Sequence, residues 1–63
     1  MTTLVAQGKK YRIFHEKILG IIPYYILEDS SKAVQKQGTW IGVEFHEYYF
    51  KSLKEIKEIA EKL

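Results

Sequence analysis

The last twelve residues of the chain carry its clearest pattern of hydrophobic and polar positions. Ser52 and Glu55 fit a capping box, because the Ser hydroxyl can accept from the N–H of Glu55 while the Glu carboxylate reaches back to the N–H of Ser52. The pattern therefore predicts an amphipathic helix that begins at Leu53 and lies on a flat partner. Its apolar positions recur every three or four residues, as one face of an α-helix requires: Leu53, Ile56, Ile59 or Ala60, and Leu63, with Phe50 just ahead.

A β-sheet is the expected partner, because the stretch TWIGVEF from Thr39 alternates with the period of a half-buried strand. YYILE from Tyr24 predicts a second strand, because it is rich in aromatic and β-branched residues. KYRIFHEKIL from Lys10 predicts a third, less regular strand. In the strand from Thr39 we place Ile41, Val43 and Phe45 towards the helix, and Trp40, Gly42, Glu44 and His46 on the other face.

Two segments allow alternative structures. The stretch DSSKAVQKQG from Asp29 fits a short helix, capped by Ser30 and closed by Gly38, or a long hairpin loop; we prefer the helix. Residues 1–8 form either a fourth, edge strand with a turn at Gln7-Gly8 or a frayed terminus. The expected fold is a single α+β domain over residues 1–63, with a three- or four-stranded, mainly antiparallel sheet and the C-terminal helix packed on one face.

Composition adds an expectation of self-association. A chain of 63 residues buries only about 60% of the surface that its unfolded form exposes, and without cysteine no disulfide can compensate.

No signal peptide is recognisable at Met1-Thr2-Thr3, and the longest apolar run, ILGIIPYYIL, has ten residues, about half of a membrane-spanning helix. We therefore expect a soluble, cytoplasmic protein with no membrane partner.

The tripeptide Phe-His-Glu occurs twice, around the two histidines His15 and His46. A zinc or iron site with two imidazoles requires both rings to converge on one point. If Ile13 faces the helix, His15 does too, whereas the alternation places His46 with Trp40 on the opposite face. Only a bulge that shifts the first strand by one residue would bring the rings together. No metal site is therefore predicted.

Catalytic chemistry has little support in the sequence. The serines fit turns or a helix cap, the four glycines are isolated and form no phosphate-binding loop, and the neighbouring carboxylates of Glu28 and Asp29 point to opposite faces of a strand. So short a chain also has little material to enclose a dry pocket. The sequence predicts a protein that is not an enzyme, with no catalytic residue, no cofactor and no small-molecule substrate.

The aromatic residues favour a binding function. Neighbouring rings in an extended chain point to opposite faces, so that one tyrosine of each Tyr-Tyr pair can enter the core and the other cannot. A sheet face without a helix would then display aromatic side chains, which is typical of an interface. The candidates for binding a partner are Tyr24, Tyr25, Trp40, Tyr48 and Tyr49.

We consider two functions. The first is a small protein-binding or regulatory module that forms a homodimer, of the kind often found among accessory proteins of mobile elements. The second is nucleic-acid binding, for which the formal net charge of +2 is a weak indication. Protein binding ranks first, because Glu44 and one or both of Glu28 and Glu47 are expected on the exposed face and would repel phosphate. The basic candidates for the second function are Lys9, Lys10, Arg12, Lys17, Lys32 and Lys36.

The predicted order of three strands and a helix resembles, in topology alone, the small sheet-reading DNA-binding domains of phage integrases and plant AP2 factors. TWIGVEF followed by KSLKEI is similar to the passage from strand to helix in the plant domains. The resemblance implies DNA binding through the sheet, but the arginine-rich reading strands of those domains have no counterpart in this sequence.

Overall fold

The computed structural model describes residues 2–63. These form a four-stranded antiparallel sheet in the order β1-β2-β3-β6, a separate two-stranded ribbon of β4 and β5, and one helix on the sheet. The α+β prediction is confirmed, and the N-terminal segment supplies the fourth, edge strand. The elements are β1 (Thr3–Gln7), β2 (Tyr11–Ile18), β3 (Ile22–Asp29), β4 (Val34–Lys36), β5 (Thr39–Ile41), β6 (Glu44–Tyr48) and α1 (Leu53–Ala60).

The segment after β3 forms a hairpin, so the preferred short helix is wrong and the hairpin alternative holds. Lys36 pairs with Thr39 across a two-residue turn, in which Gln37 and Gly38 have φ of 52° and 80°. Such turns need two positive φ angles, which glycine adopts at little cost. A helix of two turns has little intrinsic stability in water, and this stretch offers only Ala33 and Val34 as apolar anchors.

The stretch from Thr39 to Phe45 is not one strand, contrary to the prediction. Gly42, with φ of 92°, separates β5 from β6. The chain leaves the ribbon there, and the alternation of side chains between the two sheet faces does not continue from β5 into β6. In the sheet Leu27 pairs with His46 and Glu28 pairs with Phe45. Because Leu27 is buried under the helix, His46 points to the helix side of the sheet and Phe45 points away from it.

The core lies between α1 and the two central strands. Ile13 and Leu27 pair across β2 and β3 and meet Ile56 and Ala60 of the helix, all four being at most 2% exposed. We call the sheet face that carries Ile13 and Leu27 the helix side. The core is small, as expected for a chain of this length.

The start of α1 follows the prediction, and its flanks do not. The Glu55 N–H donates to Ser52 Oγ at 3.2 Å and the Ser52 N–H donates to Glu55 Oε1 at 3.5 Å, which confirms the capping box. Phe50 does not extend the apolar stripe, because it is fully exposed with φ of 62°, and the helix ends before Leu63. With eight residues, α1 is far shorter than a bilayer crossing requires, and residues 2–63 contain no helix that could make one.

The turn between β2 and β3 holds a leucine in an unfavourable backbone conformation. Leu19 has φ of 55° and is 87% exposed, so its side chain gains almost no contact in return for a conformation that costs an L-residue about 1–2 kcal/mol. Replacing Leu19 with Asn, which tolerates this region far better, is expected to stabilise the protein by about 1 kcal/mol and to raise the melting temperature by about 4–8 °C.

Thermal unfolding followed by circular dichroism measures the effect of Leu19→Asn. Ile21→Asn is the matched control, because Ile21 is 78% exposed in the same turn and is not among the residues with positive φ; it should leave the melting temperature almost unchanged. A lower melting temperature for Leu19→Asn would contradict the reading of Leu19 as strained and uncontacted.

Candidate functional site

The sheet face opposite the helix carries the side chains of the four-stranded sheet that do not pack on the core. In β2 and β3, side chains alternate between the two faces, so the residues next to Ile13 and Leu27 point away from the helix. Their pairing partners in β1 and β6 point to the same face. None of these residues is buried. We call this surface the open face; it comprises Leu4, Gln7, Arg12, Phe14, Glu16, Ile18, Ile22, Tyr24, Ile26, Glu28, Phe45 and Glu47, together with Tyr49, whose ring stacks on Tyr24.

An apolar row crosses the middle of the open face. Leu4 pairs with Phe14 and Phe14 pairs with Ile26, so three large side chains lie side by side on three adjacent strands. Leu4 is 48% exposed, and Phe45, on the far edge strand, is 64% exposed. The helix packs on the other face of the sheet, so it does not cover this row. The apolar surface of the row therefore faces either water or another molecule.

Two tyrosine rings continue the apolar surface towards the β2–β3 turn. The rings of Tyr24 and Tyr49 stack with centroids 5.1 Å apart and planes 15° apart, which is an offset arrangement that aromatic pairs favour. The hydroxyl of Tyr49 donates to Glu47 at 3.0 Å, and this bond to a carboxylate raises the pKa of Tyr49. The pair is therefore held in place before any partner arrives.

The charged groups of the open face are bound to neighbours on the same face. Arg12 makes a bidentate contact with Glu28 at 2.6 and 2.9 Å, and its guanidinium lies 5.5 Å from the centre of the Phe14 ring. The hydroxyl of Thr2 and the N–H of Lys17 donate to Glu16 and lower its pKa to about 2. With one arginine against three glutamates, the open face carries a small negative charge.

The predicted partner-binding tyrosines divide between the two faces, as alternation requires. Tyr24 and Tyr49 lie on the open face, whereas Tyr25 and Tyr48 pair with each other on the helix side and pack against the core. Trp40, 55% exposed, lies in β5 and lines a cleft with Tyr11 and Arg12 at the end of the sheet. The structure therefore places two of the five candidates together on the open face and two others together on the helix side. Sequence reasoning missed Leu4, Phe14 and Ile26.

The predicted basic residues do not form one surface. Lys9 and Lys10 lie in the β1–β2 turn, and Lys32 lies in the turn after β3. These two turns are close together, because the Ser30 N–H donates to the carbonyl of Lys10 at 2.8 Å. Lys17 lies at the other end of β2, opposite Pro23. Lys36 ends β4, and Arg12 is neutralised by Glu28.

The two histidines lie on the same face, contrary to the prediction. His15 pairs with Tyr25 and His46 with Leu27, so both point to the helix side, because the break at Gly42 changes the phase of β6. They still do not share a site. The ring of His15 lies 5.1 Å from that of Tyr25, whereas His46 lies beside Glu44, with Nε2 3.7 Å from Oε2.

Asp29 is a nearly buried carboxylate, 7% exposed, at the end of β3. Hydrogen bonds from the side chain and backbone N–H of Ser31, the latter 2.8 Å long, lower its pKa below 3.8. A carboxylate with a lowered pKa in the folded state stabilises the fold above its unfolded pKa, and the stabilisation is lost as the pH falls through the folded pKa. Protonation of Asp29 is therefore expected to destabilise the protein below about pH 4.

The pH profile of thermal stability checks this expectation. The melting temperature of the wild type should fall between pH 5 and pH 3 by more than that of Asp29→Asn, which keeps an acceptor for Ser31 but cannot titrate. Glu58→Gln removes an exposed helix carboxylate and should keep the wild-type slope. Equal slopes for the wild type and Asp29→Asn would contradict the role given to Asp29.

Comparisons with known proteins give no relative for this chain: no family model matches it, and neither a curated protein nor a solved structure is significantly similar. Its function therefore has to be inferred from its own surface.

Proposed function

We propose that this protein is a small non-catalytic binding module that docks on protein through the open face and uses the same face to form a homodimer. The observation that carries the proposal is the uncovered row of Leu4, Phe14 and Ile26, flanked by Phe45. Large apolar side chains side by side on a flat surface are typical of an interface. Arg12 and Glu28 pair with each other beside the row, so docking leaves neither of these charges buried without a partner.

The dimensions of the molecule suit a second copy of the chain as the partner. Its two longest extents are 38 and 24 Å and its thickness is 14 Å, so its broad side can supply the roughly 800 Å² per partner of a standard interface. Two sheets that pack face to face lie about 10 Å apart with interdigitating side chains. The core of one chain contains only four buried apolar residues among those described. Such a dimer would bury a second apolar layer on the other face of the sheet.

Sedimentation velocity over a range of concentrations tests the proposal. The expected result is a sedimentation coefficient that rises from monomer to dimer as the protein concentration increases into the high micromolar range. The coefficient of a monomer at every concentration would contradict self-association.

Nucleic-acid binding through the open face has less support. The single arginine of this face is held by Glu28, and Glu16 and Glu47 would repel phosphate. A gel-shift titration with random duplex and single-stranded DNA at low salt is therefore expected to give no shift at micromolar protein. A complex whose affinity falls steeply with added salt would reverse the order of the two proposals.

A further inference from the structure

Three side chains with metal-binding atoms meet on the helix side of the sheet, where β3 ends and β6 begins. Asp29 and Glu44 are directly opposite each other in the register of the two strands, and His46 follows Glu44 by two residues on the same face. One ligand atom of each lies within 4.8 Å of the other two. The set combines a carboxylate of a central strand with a carboxylate and an imidazole of an edge strand.

The spacing of these atoms is close to that of a bound ion. The centre of an equilateral triangle with sides of 4.8 Å lies about 2.8 Å from each corner (4.8 divided by √3), whereas bonds from zinc to carboxylate oxygen or imidazole nitrogen are about 2.0–2.2 Å long. Each ligand therefore has to move by less than about 1 Å. The side chains of Glu44 and His46 are 52% and 43% exposed and can make that adjustment, while Ser31 holds Asp29 in place.

The pairing of Asp29 with Glu44 is an independent indication of a cation. Like charges directly opposite each other on neighbouring strands destabilise a sheet, and a nearly buried carboxylate normally has a cationic partner. Within residues 2–63, no lysine or arginine forms an ion pair with Asp29 or Glu44; Lys32 and His46 act on Asp29 electrostatically without a salt bridge, and Glu44 contacts the imidazole of His46. Ser31 stabilises the charge of Asp29, so the cost of the like-charge pair falls on Glu44, and a divalent cation would remove it.

We propose that Asp29, Glu44 and His46 bind a divalent transition-metal ion of the Zn²⁺ type. The imidazole favours such ions over Mg²⁺ and Ca²⁺, which prefer oxygen ligands. Three protein ligands leave a coordination position for water, and the exposed side of the cluster admits the ion from solvent. The bound ion ties edge strand β6 to β3, so it stabilises the fold.

Removing one carboxylate gives a first test that needs no metal. In a buffer with chelator, Glu44→Gln is expected to melt about 2–5 °C higher than the wild type, because it relieves the repulsion with Asp29. Glu47→Gln is the matched control, since Glu47 lies on the same strand but on the open face; it should not raise the melting temperature. An unchanged or lower melting temperature for Glu44→Gln would contradict the like-charge strain on which the site depends.

Zinc titration gives the second test, with melting temperature and calorimetry as readouts. ZnCl₂ is expected to bind the metal-free wild type with a stoichiometry of one and to raise its melting temperature, whereas MgCl₂ should not. The rise should vanish in His46→Ala and Glu44→Gln and persist in His15→Ala, which removes the other histidine of the same sheet face. The proposal is overturned if zinc has no effect on the wild type, or if the effect survives in His46→Ala.

Discussion

Ile56→Ala is expected to leave the protein largely unfolded at 37 °C. Ile56 is fully buried between the helix and the sheet, and truncating such a side chain costs about 2–5 kcal/mol through lost burial and the cavity that remains. A core of this size rarely supplies more than about 3–5 kcal/mol of net stability. Alanine is a better helix former than isoleucine, so any loss reflects packing on Ile13 and Leu27 and not helix propensity.

Far-UV circular dichroism during thermal and urea unfolding measures this loss. Ile41→Ala is the control, because the same truncation is made at a side chain that is 52% exposed in β5 and should change stability by no more than about 0.5 kcal/mol. Similar effects of the two substitutions would contradict a core centred on the contact of α1 with β2 and β3.

Lysines on the open face are expected to abolish self-association. In the double variant Leu4→Lys/Phe45→Lys, two exposed apolar side chains on opposite edges of this face become cationic, and a dimer would have to bury or displace both charges. We expect the dissociation constant of the dimer to rise at least about 100-fold, since an unpaired buried charge costs several kcal/mol. The fold should persist, because neither side chain belongs to the core.

The matched control for this variant is Val34→Lys/Ile41→Lys. These two residues pair in the β4–β5 ribbon and are 54% and 52% exposed, so the control makes the same change of charge and apolar area away from the open face. Sedimentation velocity should show a monomer for the first variant and a wild-type dimer for the control. Equal association of both variants would contradict the assignment of the interface to the open face.

Local sequence signals predicted the parts of the fold that depend on neighbouring residues. The capping box of Ser52 and Glu55 and the spacing of Ile56 and Ala60 define α1 without reference to the sheet. The strand from Lys10 was also expected, although its pattern is less regular, and the structure forms it as β2 with Ile13 on the helix side.

The predictions of secondary structure and side-chain direction were wrong where the backbone angles of one or two residues decide the direction of the residues that follow. A glycine in an alternating stretch looks the same whether it stays extended or turns, and Gly42 turns. That turn moves Phe45 to the open face and His46 to the helix side. Gln37 and Gly38 similarly decide between helix and hairpin through their φ angles, which local composition does not reveal.

The candidate site could be predicted only in part. Alternation within each Tyr-Tyr pair indicated that the rings would separate, but the stack of Tyr24 on Tyr49 needs the register of β3 with β6. Alternation from Ile13 also placed Phe14 away from the helix, and this signal identifies it as part of an exposed face. The meeting of Asp29 with Glu44 again depends on long-range register, which no short stretch of sequence encodes.

Amide chemical shifts recorded by NMR at increasing protein concentration test the central claim most directly, because they locate the interface residue by residue. The predicted result is a set of concentration-dependent shifts concentrated at Leu4, Phe14, Ile26 and Phe45, with the solvent-facing residues of α1 unchanged. Shifts centred on α1, or no shifts up to high micromolar concentration, would contradict the proposal that the open face is where this protein binds its own copy.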